Sequence, residues 1–415
     1  MGENMNALQQ KIYNRFIRYV AVDTTSDPES TSVPTTSSQI SFAHSLAAEM
    51  EQIGFTDVEV DEYGFVTGLL PANTDKKAPV VGLFAHMDTV SDYNGKNIHP
   101  VLHKNYDGGT LTINEAKKMY LSPKTAPNLS LCVGDDIITA DGNTILGSDD
   151  KIGIAIIMSL AEYFVEHPQI KHGALKAAFT IDEETGSGIG YFDVERFAAD
   201  FAYTIDGALL GEVDWGNFNA DAFTLKITGK SCHPGSAKDF MANPVRIAAD
   251  IISSWPENRL PETTDGEDGF ILFKDITGGL EKAEVQGIVR EHDLAKFEQY
   301  KKDLLALAEE KRKKYPAAKI DVEFKEQYRN MRDVLRQHPQ AMAFLEGALK
   351  ENKIAYRLTQ ARGGTDGAQL SLRGLPTPNL FAGYENPHGP YEWLSMNWAE
   401  KAFHVLESIA CNVVK

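Results

Sequence analysis

The sequence predicts an α/β fold: a central, mainly parallel mixed sheet flanked by helices, interrupted by an inserted α+β domain. Three observations carry that prediction. The runs PVVGLFA (79–85), LKAAFTI (175–181) and FAYTI (201–205) are continuously apolar, as strands buried on both faces of a parallel sheet should be. They alternate with helix-patterned segments, the signature of an α/β layer. After about residue 216 the rhythm changes to β-α-β-β-α-β, the split order of a ferredoxin-like domain.

Taken in order, residues 7–22 space Leu8, Ile12, Phe16 and Tyr19 by three or four and read as an amphipathic helix. A Ser/Thr/Pro-rich loop runs from Asp23 to Ser38, and a second helix over about 39–53 stops at Gly54. The strand 79–85 follows. Residues 91–145 carry no clear period and read as loop. GSDDKIGIAIIMSLAEYFVEH opens on an aspartate pair and runs into a long helix. Beyond the strands at 175–181 and 201–205, DAFTLKITGK alternates as a half-exposed strand. A helix at about 243–255, strands near 269–276 and 282–290, a charged helix at about 293–314 and the strand IDVEFKEQY complete the insertion. A helix at about 338–351 and an apolar strand in PTPNLFAG return the chain to the first layer. The expected division is 1–216 with 328–415 for one domain and 217–327 for the inserted one.

Composition narrows the function. Hydrophobic residues are 42% of the 415 and charged residues 24%, enough for a substantial core and inconsistent with wholesale disorder. Lys+Arg 41 against Asp+Glu 59 leaves −18. Nucleic acid and anionic membrane both call for a basic face, so neither is an expected partner. The longest apolar run, Ile152 to Ala161, contains Ser159 and falls well short of the about 20 residues a membrane span needs. Cys132, Cys232 and Cys411 are odd in number and far apart. They form no disulfide framework, which suits a reducing cytoplasm.

Acids and histidines fall in an ordered pattern. His86 and Asp88 follow the strand 79–85, Glu183 and Glu184 follow 175–181, Asp206 follows 201–205, and His388 lies beyond the strand in PTPNLFAG. Asp149 sits at a Gly-Ser-Asp-Asp turn that opens a helix. Ligands of parallel α/β sheets collect outside the carboxyl ends of strands. Two histidines and several carboxylates without cysteine suit a divalent metal bound through N and O, Zn²⁺ above all. Two ions at hydrolytic spacing need one carboxylate between them, and Asp149 is the natural bridge. The charges also balance: two Zn²⁺, three carboxylates (Asp149, Glu184, Asp206) and one hydroxide sum to zero. Asp88, two residues from His86, can accept its imidazole N–H. Glu183 is not needed as a ligand and is the candidate general base for the attacking water.

Each feature has a plainer reading alone. A His-x-Asp pair is more often a surface or cap pair, adjacent glutamates suit a helix start, and Asp149 with Asp150 can simply cap a helix. The joint pattern moves the balance toward metal. KRKKY (311–315) is a helix C-terminus rather than a nucleic-acid patch. GGTDG (363–367) lacks a P-loop lysine, and Cys232 beside His233 lacks a third orienting group.

Together these residues resemble the dinuclear zinc exopeptidases, the family that includes aminoacylases, carnosinases and succinyl-diaminopimelate desuccinylase. The motifs are FAHMDT (84–89), TILGSDDKIGIA (144–155), TIDEETGSG (180–188), YTIDG (203–207), GKSCHPGSAK (229–238), YRNMRD (328–333), ARGGTDGAQLS (361–371) and GLPTPNLFAGYENPHGPYEW (374–393). They run in family order over nearly the whole chain. The resemblance implies that His86, Asp149 and Asp206 hold one zinc and that Asp149, Glu184 and His388 hold the other. It implies that Glu183 is the proton acceptor, that Asp88 backs His86, and that the Asp149–Asp150 bond is cis. The insertion would be a dimerisation domain of a homodimer, its His233 reaching the partner's site to help hold the oxyanion. Arg290 and Arg362 stand where the family contacts the substrate carboxylate. The implied activity is release of the N-terminal residue from small peptides, tripeptides above all. N-acyl amino acid deacylation and dipeptide cleavage are the alternatives within the family. A metal or peptide binder without catalysis is the rival from another class; Glu183 beside Glu184 weighs against it. Two segments depart from the family pattern: YENPHGPYEW, where a shorter NFHG run is usual, and GSDDKIG, where an Ala before the pair and after the Lys is usual.

Overall fold

The computed structural model describes residues 5–415. The chain divides into two compact units, the first formed by the chain up to Trp215 with 333–359 and 365–415, the second by 216–332 with 360–364.

The first unit is built on an eight-stranded sheet. In spatial order its strands are Thr56–Val60, Val66–Leu70, Leu175–Thr180, Val81–His86, Phe201–Gly207, Asn379–Phe381, Glu212–Asn217 and Arg357–Ala361. The central pairings of Val81–His86 with its two neighbours, and of Phe201–Gly207 with Asn379–Phe381, are parallel. Pairings nearer the edges are antiparallel. Val81–His86 is buried at every position, which is why its sequence is apolar without alternation. Helices Ala7–Val20, Ser37–Ile53, Ser148–Glu166, Gln340–Glu351 and Met396–Asn412 complete the layers. The first is set by a capping box between Asn6 and Gln9 and buries Ile12, Phe16 and Tyr19. The second ends where Gly54 takes a left-handed φ of 118°, a conformation that costs glycine little.

Two expectations shift. His86 is the last residue of its strand, and Asp206 lies inside Phe201–Gly207, so both ligand candidates are held by sheet rather than by loop. The stretch 91–145 is not all loop. Val101–His103 and Ile137–Thr139 join Tyr384–Glu385 and Trp393–Ser395 in a four-stranded sheet, and Leu111–Asn114 pairs with Met119–Leu121. A separate core of Tyr106, Leu121, Leu129, Cys132, Trp393 and Trp398 lies beneath them. Strands of two to four residues are too short to show a period of two.

The second unit is an antiparallel sheet in the order Phe270–Gly278, Lys282–Glu291, Asn219–Thr228, Lys319–Tyr328. Helices Pro244–Ser254 and Leu294–Lys314 bury Ile247, Ile251, Phe297 and Leu304 against Phe223, Leu225, Val285 and Val289. This is the ferredoxin-like arrangement the element order predicts. Among the described residues no helix is long and apolar enough to cross a membrane.

Candidate metal centre

Three neighbouring strands deliver the first groups. Leu175–Thr180 and Phe201–Gly207 flank Val81–His86 in parallel, with Val81 opposite Phe201 and Phe84 opposite Thr204. Two residues further along that register, His86 stands level with Asp206. Glu183 and Glu184 come from the turn after Thr180. Asp149 comes from a kink at the start of Ser148–Glu166, where Asp149 and Asp150 leave helical φ/ψ and their peptide bond is cis. His388 sits in a loop with a left-handed φ of 65°.

The side chains converge. His86 Nε2 lies 2.9 Å from Asp149 Oδ1 and 3.6 Å from Asp206 Oδ1. His388 Nε2 lies 3.3 Å from Asp149 Oδ2 and 3.1 Å from Glu184 Oε2. Asp149 therefore faces a different histidine with each carboxylate oxygen, the disposition a bridging ligand needs. Donor atoms of His86, Asp149 and Glu184 all fall within 4.8 Å of one another, as do those of His86, Asp150 and Asp206. Glu184 Oε1 is buried without any hydrogen-bond partner among the described residues. A buried lone pair left unused is costly, and an N/O donor set around it fits a divalent cation.

The electrostatics point the same way. Burial, with the neighbouring Asp149 charge, pushes the Glu184 carboxyl up to about 7 and that of Asp206 up to about 6. Burial also works to raise Asp149, but hydrogen bonds from His388 and His86 win and hold it below the usual carboxylate range. Hydrogen bonds to Asp149 and Glu184 push the His388 imidazole up to about 11. Burial opposes a charge on His86, yet Asp206, Asp149 and Asp88 raise it well above its ordinary value. The carboxylates thus favour protonated imidazoles as counter-charge. Divalent ions would supply that charge with the imidazoles neutral and free to ligate.

Surrounding groups fix this geometry. Asp88, fully buried, accepts the backbone N–H of Glu183 at 3.0 Å and of Glu184 at 3.2 Å. It clasps the turn that carries both glutamates. The hydrogen bond of His86 Nδ1 goes to the Asp88 backbone carbonyl at 3.0 Å, with the carboxylate at 3.4 Å. Burial drives the Glu183 carboxyl well above its ordinary value. Asp150, also fully buried, is taken up by the N–H groups of His86 and Gly153.

Other contributors escaped the sequence reading. Tyr384 Oη lies 3.0 Å from Asp206 Oδ1 and 2.9 Å from its carbonyl oxygen, and Asn379 Oδ1 accepts the Asp206 N–H. Glu392 gathers the backbone N–H groups of the turn before Asp149. Asp366, in GGTDG, is buried and pushed up to about 7 by that burial. Tyr384 and Glu392 flank His388 in YENPHGPYEW, the segment that departs from the family pattern, and that departure was the one available signal.

His233, Arg290 and Arg362 all lie in the second unit. His233 Nδ1 accepts the Gly235 N–H in an exposed turn. Arg290 packs over the Tyr328 ring at 5.2 Å and, among the described residues, pairs with no carboxylate. Arg362 stacks over Phe218 and Phe270 and donates to the carbonyls of Gly266 and Asp268.

A family model described as a peptidase dimerisation domain matches residues 215–316. Over 399 residues the chain is 43% identical to peptidase T of Caldanaerobacter subterraneus subsp. tengcongensis, covering 96% of this chain and 98% of that one. Solved structures share the fold: aminopeptidase PepT from Bacillus cereus (TM-score 0.77, 22% identity, 98% and 99% of the chains covered) and a tripeptidase from Staphylococcus aureus (0.78, 21%, 98% and 98%). The fold is therefore shared with these peptidases. Within that class, the chain belongs to the peptidase T family.

Proposed function

We propose that this protein is a cytoplasmic, homodimeric aminopeptidase that releases the N-terminal residue of tripeptides with two zinc ions per subunit. The observation that carries the metal reading is Asp149 between two histidines, beside a buried Glu184 oxygen with no partner among the described residues. His86, Asp149 and Asp206 would hold one ion, and Asp149, Glu184 and His388 the other. When bound, the ions polarise the scissile carbonyl and acidify the attacking water. Glu183 takes the proton from that water and passes it to the leaving amine. Its raised carboxyl suits an acceptor that must later act as an acid. Asp88 keeps Glu183 and Glu184 in register by holding both of their N–H groups. The partner subunit's His233 helps hold the oxyanion. Arg290 and Arg362 take the far carboxylate, for which a planar guanidinium is suited.

A clamp on the far carboxylate would make cleavage depend on substrate length. Dipeptides fall short, and tetrapeptides put backbone where the charge belongs. A competition assay with di-, tri- and tetrapeptides and an N-acetylated tripeptide tests this. Free tripeptides should be cleaved best. A preference for dipeptides or N-acyl amino acids would replace the reading with a dipeptidase or deacylase.

A further inference from the structure

We propose that Glu392 is a positioning residue that ties the two halves of the metal centre together, so that both ions depend on it. The proposal rests on the metal-binding reading above. Glu392 is 1% exposed, and one carboxylate collects five donors. Its Oε2 accepts the N–H of Leu146 at 2.8 Å and of Gly147 at 2.9 Å. Its Oε1 accepts the N–H of Ser148 at 2.7 Å, the Ser148 hydroxyl at 2.5 Å and the N–H of Asp149 at 3.2 Å.

Four successive backbone N–H groups aimed at one point form a concave anion nest. Left empty in the interior, they would be unsatisfied and would repel one another. The turn they belong to cannot hold itself: Gly147 is left-handed at φ 71°, and Asp149 and Asp150 are non-helical. Glu392 supplies the missing acceptor and so fixes the direction in which Asp149 projects.

The same residue belongs to the His388 loop. Its own N–H donates to the Gly389 carbonyl at 3.3 Å, closing the turn between the two. The next residue, Trp393, begins a strand paired with Ile137–Thr139. Asn386 and His388 are both left-handed, so this loop too needs an external tie. One carboxylate therefore sets the position of Asp149, which faces both histidines, and of the loop that carries His388.

The test is Glu392→Gln in the full-length protein. Glutamine keeps the size but turns an NH₂ group toward N–H donors, which breaks one arm of the nest. Protein would be equilibrated across a series of free-Zn²⁺ buffers and bound metal counted per chain. Both ions should need about 10–100-fold more free Zn²⁺, the usual cost of losing a group that orients ligands. Asp135→Asn is the structural control. Asp135 is a buried carboxylate that accepts the Ser395 hydroxyl at 2.7 Å and an amide N–H of Asn397, and it hydrogen-bonds to none of the candidate ligands. It should lower the melting temperature and leave zinc retention unchanged. If Glu392→Gln does not fold, Ser148→Ala, which removes one donor of the five, should still weaken retention several-fold. Wild-type retention in the folded variants, a loss confined to one ion, or an equal loss in Asp135→Asn would overturn the proposal. Failure of the wild type to hold zinc at all would instead overturn the metal reading.

Discussion

Adding two equivalents of Zn²⁺ to metal-stripped protein at pH 7.5 should release at least about two protons per chain, one from each imidazole, with one more wherever a bound water ionises. The count follows from the charges in the cluster. His388, held near about 11 by its hydrogen bonds to Asp149 and Glu184, carries a proton at that pH. Asp206, Asp149 and Asp88 favour the protonated form of His86 in the same way, against its burial. An imidazolium has no lone pair to give, so each must lose its proton before it can ligate. Glu184 at about 7 adds roughly a quarter of a proton, Asp206 at about 6 adds almost none, and Asp149 is already ionised. The sign is clear: protons compete with metal, so affinity falls as pH falls. With at least two protons displaced, the overall binding constant should drop by at least about 100-fold per pH unit near neutrality. Below pH 7 and then below pH 6 the drop should steepen as Glu184 and Asp206 take up protons. Titration calorimetry in PIPES and in TES measures the count, because these buffers bind Zn²⁺ weakly and differ in ionisation heat. A binding heat independent of buffer would mean that the imidazoles are not displaced, and the ligand assignment of His86 and His388 would fall.

Two further outcomes separate roles inside the site. Glu183→Gln should retain near-normal metal yet lose at least about 10²–10⁴ in rate, whereas Glu184→Gln should release metal; atomic absorption and steady-state kinetics on both variants would expose a reversal. If the partner subunit's His233 completes the site, inactive His233→Ala dimers mixed with inactive Glu183→Gln dimers should regain activity on subunit exchange, because one hybrid site is intact. No recovery, with exchange demonstrated by mass, would confine the histidine to its own chain or remove its role.

What could be read in the sequence is what is local and repeated. Val81–His86, Leu175–Thr180 and Phe201–Gly207 announce themselves because burial on both faces demands unbroken apolar runs, and the candidate ligands lie at or just beyond their ends. The second unit was legible for the complementary reason. Its sheet has one face packed on helices, so Asn219–Thr228 alternates between buried and less buried positions. The four-stranded sheet of Val101–His103, Ile137–Thr139, Tyr384–Glu385 and Trp393–Ser395 was illegible, since its strands are short and two of them come from the far end of the chain. Asp88 was read by its spacing from His86, but its larger contact is with N–H groups some 95 residues away, which no spacing rule reveals.

The same limit explains why the groups that hold the ligands were harder to find than the ligand candidates. A metal ligand must be a histidine or carboxylate near a strand end, so residue type and position both mark it. A group that orients a ligand can act on backbone, and backbone leaves no mark on residue type. Glu392 binds four N–H groups of residues 146–149, and any amino acids there except proline would offer the same donors. Its partners are therefore invisible in sequence even though its own carboxylate is plain to see. The segment YENPHGPYEW carries His388 into the cluster and ends beside the acid that accepts the N–H groups of the opposite turn. Its length has to fit two anchor points at once, the strand at Trp393 and the nest before Asp149, and a family pattern for the histidine alone does not constrain it.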